Sequence, residues 1–245
     1  VAPVSPHERQ EPLAGQPSGP HSGAGLSLAG QILITGFDAF GEHQSLNPSA
    51  LVVQTLDGQV LAGRTVAAHC LPTQFGVARA QLLDLLNGPL PALVLCLGQA
   101  GGRDKIGLER VAINLDDARI ADNAGRQPID EPIVAGGPAA YFSSLPLKAC
   151  VQALTQADLP AEVSNTAGTY VCNHVFYSLM HALAEHSAQD SASTEVRAGF
   201  VHLPWLPQQG SPSLSLDEMV QALRIIALTA LSTPVDIKQV GGKIS

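Results

Sequence analysis

Short runs with almost no polar residue recur along this chain, each separated from the next by a helical pattern. Ile32-Leu33-Ile34 and ALVLCLG (Ala92 to Gly98) lack the polar–apolar alternation of a strand with one wet face. Such runs are expected of strands covered on both sides, the usual state of a parallel sheet. RTVAAHCLP (Arg64 to Pro72), AEVSN (Ala161 to Asn165) and AGFVHLPWLPQQ (Ala198 to Gln209) supply further strands, the last ending at two prolines. Between them lie helices. Asn47-Pro48-Ser49 starts one, since Pro suits the first helical position and Asn the cap. Phe75 to Leu86, Leu147 to Leu154 and a segment from about Val171 have helical spacing. Ser215-Leu-Asp-Glu218 is a capping box, and the helix it opens aligns Leu216, Met219, Leu223, Ile226 and Ala230. Strands alternating with helices predict a single-domain α/β/α sandwich, with a mainly parallel, mixed twisted sheet and helices on both faces.

The 245 residues, 45% hydrophobic and 14% charged, suit one large domain. Pro, Gly and Ser fill nearly half of residues 1–30, with no apolar period, so this stretch is expected to be a disordered arm preceding a catalytic domain over 31–245. It lacks the basic start and apolar core of a secretory signal. The net charge of −8 with scattered Lys and Arg argues against nucleic acid and anionic membrane as partners. No run approaches the roughly 20 apolar residues of a membrane span. Cys70, Cys96, Cys150 and Cys172 form no CxxC pair, which fits a reduced, cytoplasmic protein better than a disulfide or zinc scaffold.

In sheets of this class ligands bind beyond the carboxyl ends of the strands. SNTAGTYVCNHVFYSLMH (Ser164 to His181) places Cys172 there, in the first turn of a helix, where unpaired N–H groups bias a thiol toward thiolate. Such a nucleophile needs a base within hydrogen-bond reach and a group to hold that base. His174 points about 200° away from Cys172 on the helix, and His181 lies roughly two and a half turns down the axis. His186 is further still, His7 and His21 are in the arm, and His43 is on a loop. His202 ends a strand and is the better placed; His69 qualifies only if its strand neighbours the site. Gly98-Gln-Ala-Gly-Gly lacks the GxGxxG order of a dinucleotide turn, and TGFDAFG lacks the lysine and spacing of a phosphate loop. From Leu108, ERVAINLDD alternates as one strand, with Val111, Ile113 and Leu115 on one side. Asp122 to Gly125 and Asp130 to Pro138 are turn-rich and predict a mobile excursion off the sheet.

Four blocks, in this order, resemble the pyroglutamyl peptidases, cysteine enzymes also called pyrrolidone-carboxylate peptidases. They are TGFDAFG, GQAGGR with LERVAINLDDARIADNAGRQPIDEPI, SNTAGTYVCNH, and GFVHLPWLPQQ, and the similarity spans about Gln31 to Leu231. The resemblance implies Cys172 as nucleophile, His202 as base and Glu109 as the group orienting it, with Arg119 close to the centre and stabilising it. Phe37, Phe40 and Asn47 would form the pocket for the substrate ring, with Gln99 and Tyr170 also lining it. No metal or cofactor is implied. Pyroglutamyl peptides are the implied partners, and family members commonly form dimers or tetramers. The chain departs from the family pattern at Ala39, Glu42 and Trp205, and its stretch from Glu42 to Leu46 is one residue longer than the family's.

The expected activity is that of an omega-peptidase removing N-terminal pyroglutamate through a thioester. A pyroglutamyl lactam has no free α-ammonium, so its pocket should be apolar and flat-walled, with a few dipoles for the ring N–H and C=O. The alternatives are a non-catalytic module that binds pyroglutamyl peptides and a nucleoside-binding α/β protein.

Overall fold

The computed structural model describes residues 28–41, 45–189 and 196–242. Its elements run β1 (Ile32–Phe37), α1 (Pro48–Leu56), β2 (Val60–Leu61), β3 (Arg64–Leu71), α2 (Phe75–Leu85), β4 (Leu93–Gln99), β5 (Ile106–Glu109), β6 (Val111–Ile113), β7 (Ala140–Phe142), α3 (Leu147–Gln156), β8 (Ala161–Ser164), α4 (Val171–Gln189), β9 (Arg197–Leu203) and α5 (Leu216–Ser232). The expected arm lies outside the described residues up to residue 27. Its last part is ordered: Leu28 is buried in the core, and the Gly30 carbonyl accepts from Arg64.

A seven-stranded sheet has the order β2-β3-β1-β4-β9-β5-β8. β3, β1, β4 and β9 are mutually parallel, while β5 runs antiparallel to β9 and carries β8 parallel to itself. The sheet is therefore mixed, as the alternating pattern predicts. Successive strand side chains face opposite sides, so Ile32 and Ile34 enter one core with α1, α3 and α5 while Leu33 enters the other with α2 and α4. That two-sided burial is why β1 tolerates no charged residue. Asn47 caps α1 through its side-chain oxygen, and Ser215 and Glu218 complete the capping box of α5.

Two expectations change. ERVAINLDD is not one strand. The Arg110 N–H donates to the Ser164 carbonyl and the Arg110 carbonyl accepts from Ser143 N–H, ending the ladder with β9. Beyond it, β6 pairs with β7 in a separate ribbon, with Ala112 buried and Val111 and Ile113 half-buried. The excursion that follows is there, but it is tied down. Asp116 and Glu131 exchange backbone hydrogen bonds, and the Asp122 carboxylate accepts from the N–H groups of Phe75, Ala124 and Arg126. Side chains of α4 hold it too. Asn173 bonds the backbone of Ile113 and Leu115, His174 Nδ1 lies 2.8 Å from Asp116, and the Tyr177 hydroxyl donates to the Pro138 carbonyl. Among the described residues no helix is long and apolar enough to cross a membrane.

Candidate active site

His202 is the penultimate residue of β9, and both of its partners across the ladder are glycines: Gly98 of β4 and Gly107 of β5. Residues paired in register point to the same face of a sheet, so the two missing side chains leave room on either flank of the imidazole. A Cβ on Gly98 would lie 2.8 Å from Cys172 Sγ and 2.9 Å from Phe200 Cζ; one on Gly107 would lie 2.7 Å from Arg103 Nη1. The thiol therefore occupies the space over Gly98, and a guanidinium occupies the space over Gly107. Phe200, two residues before His202 and on its face, packs its ring centroid 4.9 Å from the imidazole. Cys172 and His202 thus share one compartment above β4 and β9.

Glu109 reaches that face from β5. It pairs with Phe200, and its Oε1 lies 2.7 Å from His202 Nδ1. The same oxygen accepts from Arg103 Nη1 at 2.9 Å, and Arg103 Nη2 extends toward the Thr166 carbonyl at 3.4 Å. Glu109 is 0% exposed, so it is not the solvated edge charge that its place at a strand terminus permits. Burial alone would push its carboxyl up, but the hydrogen bond and charge of His202, then Ser164 and Arg103, outweigh it and hold it below the ordinary carboxylate value. An ionised carboxylate only accepts, so Nδ1 carries the proton and Nε2 presents its lone pair.

Cys172 lies at the second position of α4, as the turn–helix pattern predicts, but β8 before it runs against β4 and β9. The first intrahelical bond is made by His174 N–H to the Tyr170 carbonyl, so the N–H groups of Val171, Cys172 and Asn173 precede the ladder of α4. Their field, which favours thiolate, is opposed at the sulfur. Burial, then the Glu109 charge, push the thiol up to about 12, against smaller pulls from Arg103 and its own N–H. Desolvation thus opposes the expected pull toward thiolate, against a helix terminus worth about 2 kcal/mol at most.

The other sequence candidates fall at the same end of the molecule. Phe37 is core: 2% exposed, it packs against Phe200 beneath the site and donates its N–H to Ser49 Oγ. Phe40 is half-buried and faces Tyr170 at 5.9 Å, which in turn meets the edge of Phe75, forming an aromatic wall. Asn47 uses its oxygen on Ser49 and one amide hydrogen on the Asp38 carbonyl, leaving one hydrogen free of its capping duty. Gln99 presents Oε1 to Gln209 Nε2, which also reaches the Leu46 carbonyl, so β4, the loop before α1 and the segment after β9 are clamped together. Arg119 is exposed on a groove with Ala39, Gly41, Asp122 and Asn123. The neighbouring Ala121 carbonyl accepts from the Tyr170 hydroxyl. His69 is in β3, paired with β1 and separated from β9 by two strands; His43 lies outside the described residues. Sequence reasoning missed Arg103 and Gln209, although both stand inside the quoted blocks. The Gly-Gly-Arg turn six residues before Glu109 was the available signal for the first.

A profile of the pyroglutamyl peptidase family matches residues 30–233. The chain belongs to the pyroglutamyl peptidase family. Members are cysteine peptidases, and the match covers the whole sheet and every site residue described above. Pyrrolidone-carboxylate peptidase 1 of Ralstonia nicotianae is 53% identical over 218 residues, covering 87% of this chain and 98% of the relative. The pyrrolidone-carboxylate peptidase of Bacillus licheniformis is 48% identical, covering 88% and 99%. Among solved structures, pyroglutamyl peptidase I of Bacillus amyloliquefaciens is 42% identical with a TM-score of 0.81, covering 86% of this chain and all of its own. Pyrrolidone carboxyl peptidase of Thermococcus litoralis is 32% identical with a TM-score of 0.79, covering 86% and 99%. Membership in this family supports hydrolysis of pyroglutamyl peptides.

Proposed function

We propose that the protein removes N-terminal pyroglutamate from peptides through Cys172, His202 and Glu109, by way of a thioester. The observation that carries this reading is the Glu109–His202 bond beside a thiol seated over Gly98. Because the resting sulfur keeps its proton, attack and deprotonation are coupled: His202 Nε2 takes the thiol proton as the C–S bond forms at the pyroglutamyl carbonyl. The imidazolium, steadied by Glu109, then gives that proton to the departing amine nitrogen, and the C–N bond breaks. Water attacks the thioester with His202 again as base, releasing pyroglutamate and restoring the thiol. First-turn N–H groups of α4 are suited to hold the oxyanion, a contribution of about 3 kcal/mol for one such donor. Arg119, next to the segment anchored on Tyr170, adds positive charge at the groove.

Phe40 and Tyr170 supply flat apolar surface for the lactam ring over a floor backed by Phe37. The free amide hydrogen of Asn47 and the clamped Gln99 region offer dipoles for its polar edge. Four unpaired cysteines, two of them buried, support a reducing compartment such as the cytoplasm.

The purified protein should release the chromophore from a pyroglutamyl anilide and leave the prolyl anilide intact, with iodoacetamide abolishing turnover. Binding of a pyroglutamyl peptide without cleavage would select the non-catalytic module instead. The protonation state is separately testable. With a thiol raised to about 12, ionisation is suppressed at every pH below that value. The difference in thiolate absorbance between wild type and Cys172→Ala should therefore be absent at neutral pH. A thiolate band there would refute the coupled step and favour a preformed ion pair.

A further inference from the structure

We propose that Arg103 is a positioning residue for the triad, holding Glu109 ionised and correctly placed and tying it to the loop that delivers Cys172. The inference rests on the peptidase reading above and adds a group which that mechanism does not use. Arg103 leaves the turn after β4, half-buried with 31% of its side chain exposed, and crosses the space that Gly107 leaves empty. There it donates Nη1 to the same Glu109 oxygen that His202 uses, while Nη2 extends toward the Thr166 carbonyl, six residues before Cys172. A buried carboxylate carrying one imidazole would pull strongly on the imidazole proton. A guanidinium on the same oxygen neutralises part of that pull and favours the ionised carboxylate. Arg suits this position better than Lys because its planar fork serves two acceptors at once.

The groups facing the Glu109 carboxylate are His202 from β9, Arg103 from the turn, Ser164 from β8 and Cys172 from α4. Of these, Arg103 alone carries a permanent positive charge. Removing it makes a proton on the Glu109–His202 pair harder to lose, and both members of the pair move in the same direction. The acidic limb of kcat/KM then rises.

The test is the pH profile for a pyroglutamyl anilide in Arg103→Met and, independently, in Gly107→Ala, whose new Cβ would lie 2.7 Å from Nη1 but at ordinary contact distance from Glu109 and His202. Arg103→Met should move the acidic limb up by about one pH unit or more, with KM within about twofold because Arg103 acts through Glu109 and the Thr166 carbonyl. Gly107→Ala should move it the same way by a smaller amount, and should add nothing once Arg103 is Met. Arg103→Lys should restore the limb while leaving kcat below wild type. If Arg103→Met does not fold, Gly107→Ala with the Lys variant still decides. An acidic limb that stays at the wild-type position in either folded variant overturns the proposal. So does a Gly107→Ala shift that persists at full size on top of Arg103→Met. A wild-type protein without activity sinks the peptidase reading instead, which keeps the two failures apart.

Discussion

Cys172→Ala should abolish turnover of a pyroglutamyl anilide, lowering kcat on the order of 10⁵-fold or more while leaving the fold intact. The magnitude follows from comparable enzymes, in which loss of the nucleophile removes covalent catalysis and leaves only what binding and oxyanion donors supply. The fold should survive because the change deletes a single half-buried sulfur at the start of α4. The first turn remains closed by His174 N–H to Tyr170 and anchored by Asn173 to the backbone of Ile113 and Leu115. Thermal unfolding should therefore stay within a few degrees of wild type, since a loss of about 1 kcal/mol shifts a domain of this size by about 2–4 °C. Substrate binding should also persist, measurable as stabilisation by a pyroglutamyl peptide. Retention of more than a trace of activity in this variant would remove Cys172 from the chemistry.

The second large effect is expected at a residue with no side chain. Gly98→Ala introduces a methyl 2.8 Å from Cys172 Sγ and 2.9 Å from Phe200 Cζ, on the central strand β4. Gly98 does not have the positive φ that would make any substitution strained, so the cost comes from the collision alone. Either the sulfur or the ring that packs on His202 must move by about 1 Å. A misplacement of that size costs about 100-fold in rate. The expected result is a kcat/KM lowered by about two orders of magnitude, with the loss in kcat. Stability should also fall, by about 1–3 kcal/mol for the overpacked core, offset only in part by the smaller entropy of the unfolded alanine chain. Wild-type kinetics in Gly98→Ala would mean that the space over Gly98 is not where the reacting sulfur sits.

The two glycines flanking His202 show where sequence reasoning stops. Gly98 opens a Gly-rich segment that could be excluded as a dinucleotide site from its spacing. What it does accommodate became visible only when β4 and β9 were in register. Gly107 and Arg103 carry the same lesson. A Gly-Gly-Arg turn and a glycine four residues later look unremarkable until β5 folds back antiparallel to β9 and sets them around Glu109. Glu109 stands at a strand terminus, which can be wet or dry, and nothing local distinguishes the two. Phe37 and Asn47, taken through the resemblance as pocket residues, are engaged in core packing and helix capping, so any contact with substrate comes on top of those duties.

From the sequence alone came the strands buried on both faces, the caps at Asn47 and Ser215, the placement of Cys172 in the opening turn of α4, and a four-block resemblance that named the family. Those are statements about neighbours within a few residues, where backbone sterics and apolar period act directly, or about patterns shared with relatives. Tertiary structure alone decided that β5 and β8 run against β3, β1, β4 and β9 and that ERVAINLDD breaks at Arg110. It also decided that Arg103 joins a carboxylate bonded to a histidine 93 positions away, and that the sulfur sits in a compartment where desolvation opposes its ionisation. Strand direction, pairing register and desolvation are set by packing between segments far apart in the chain, and a thiol's proton responds to that packing more strongly than to the helix it begins.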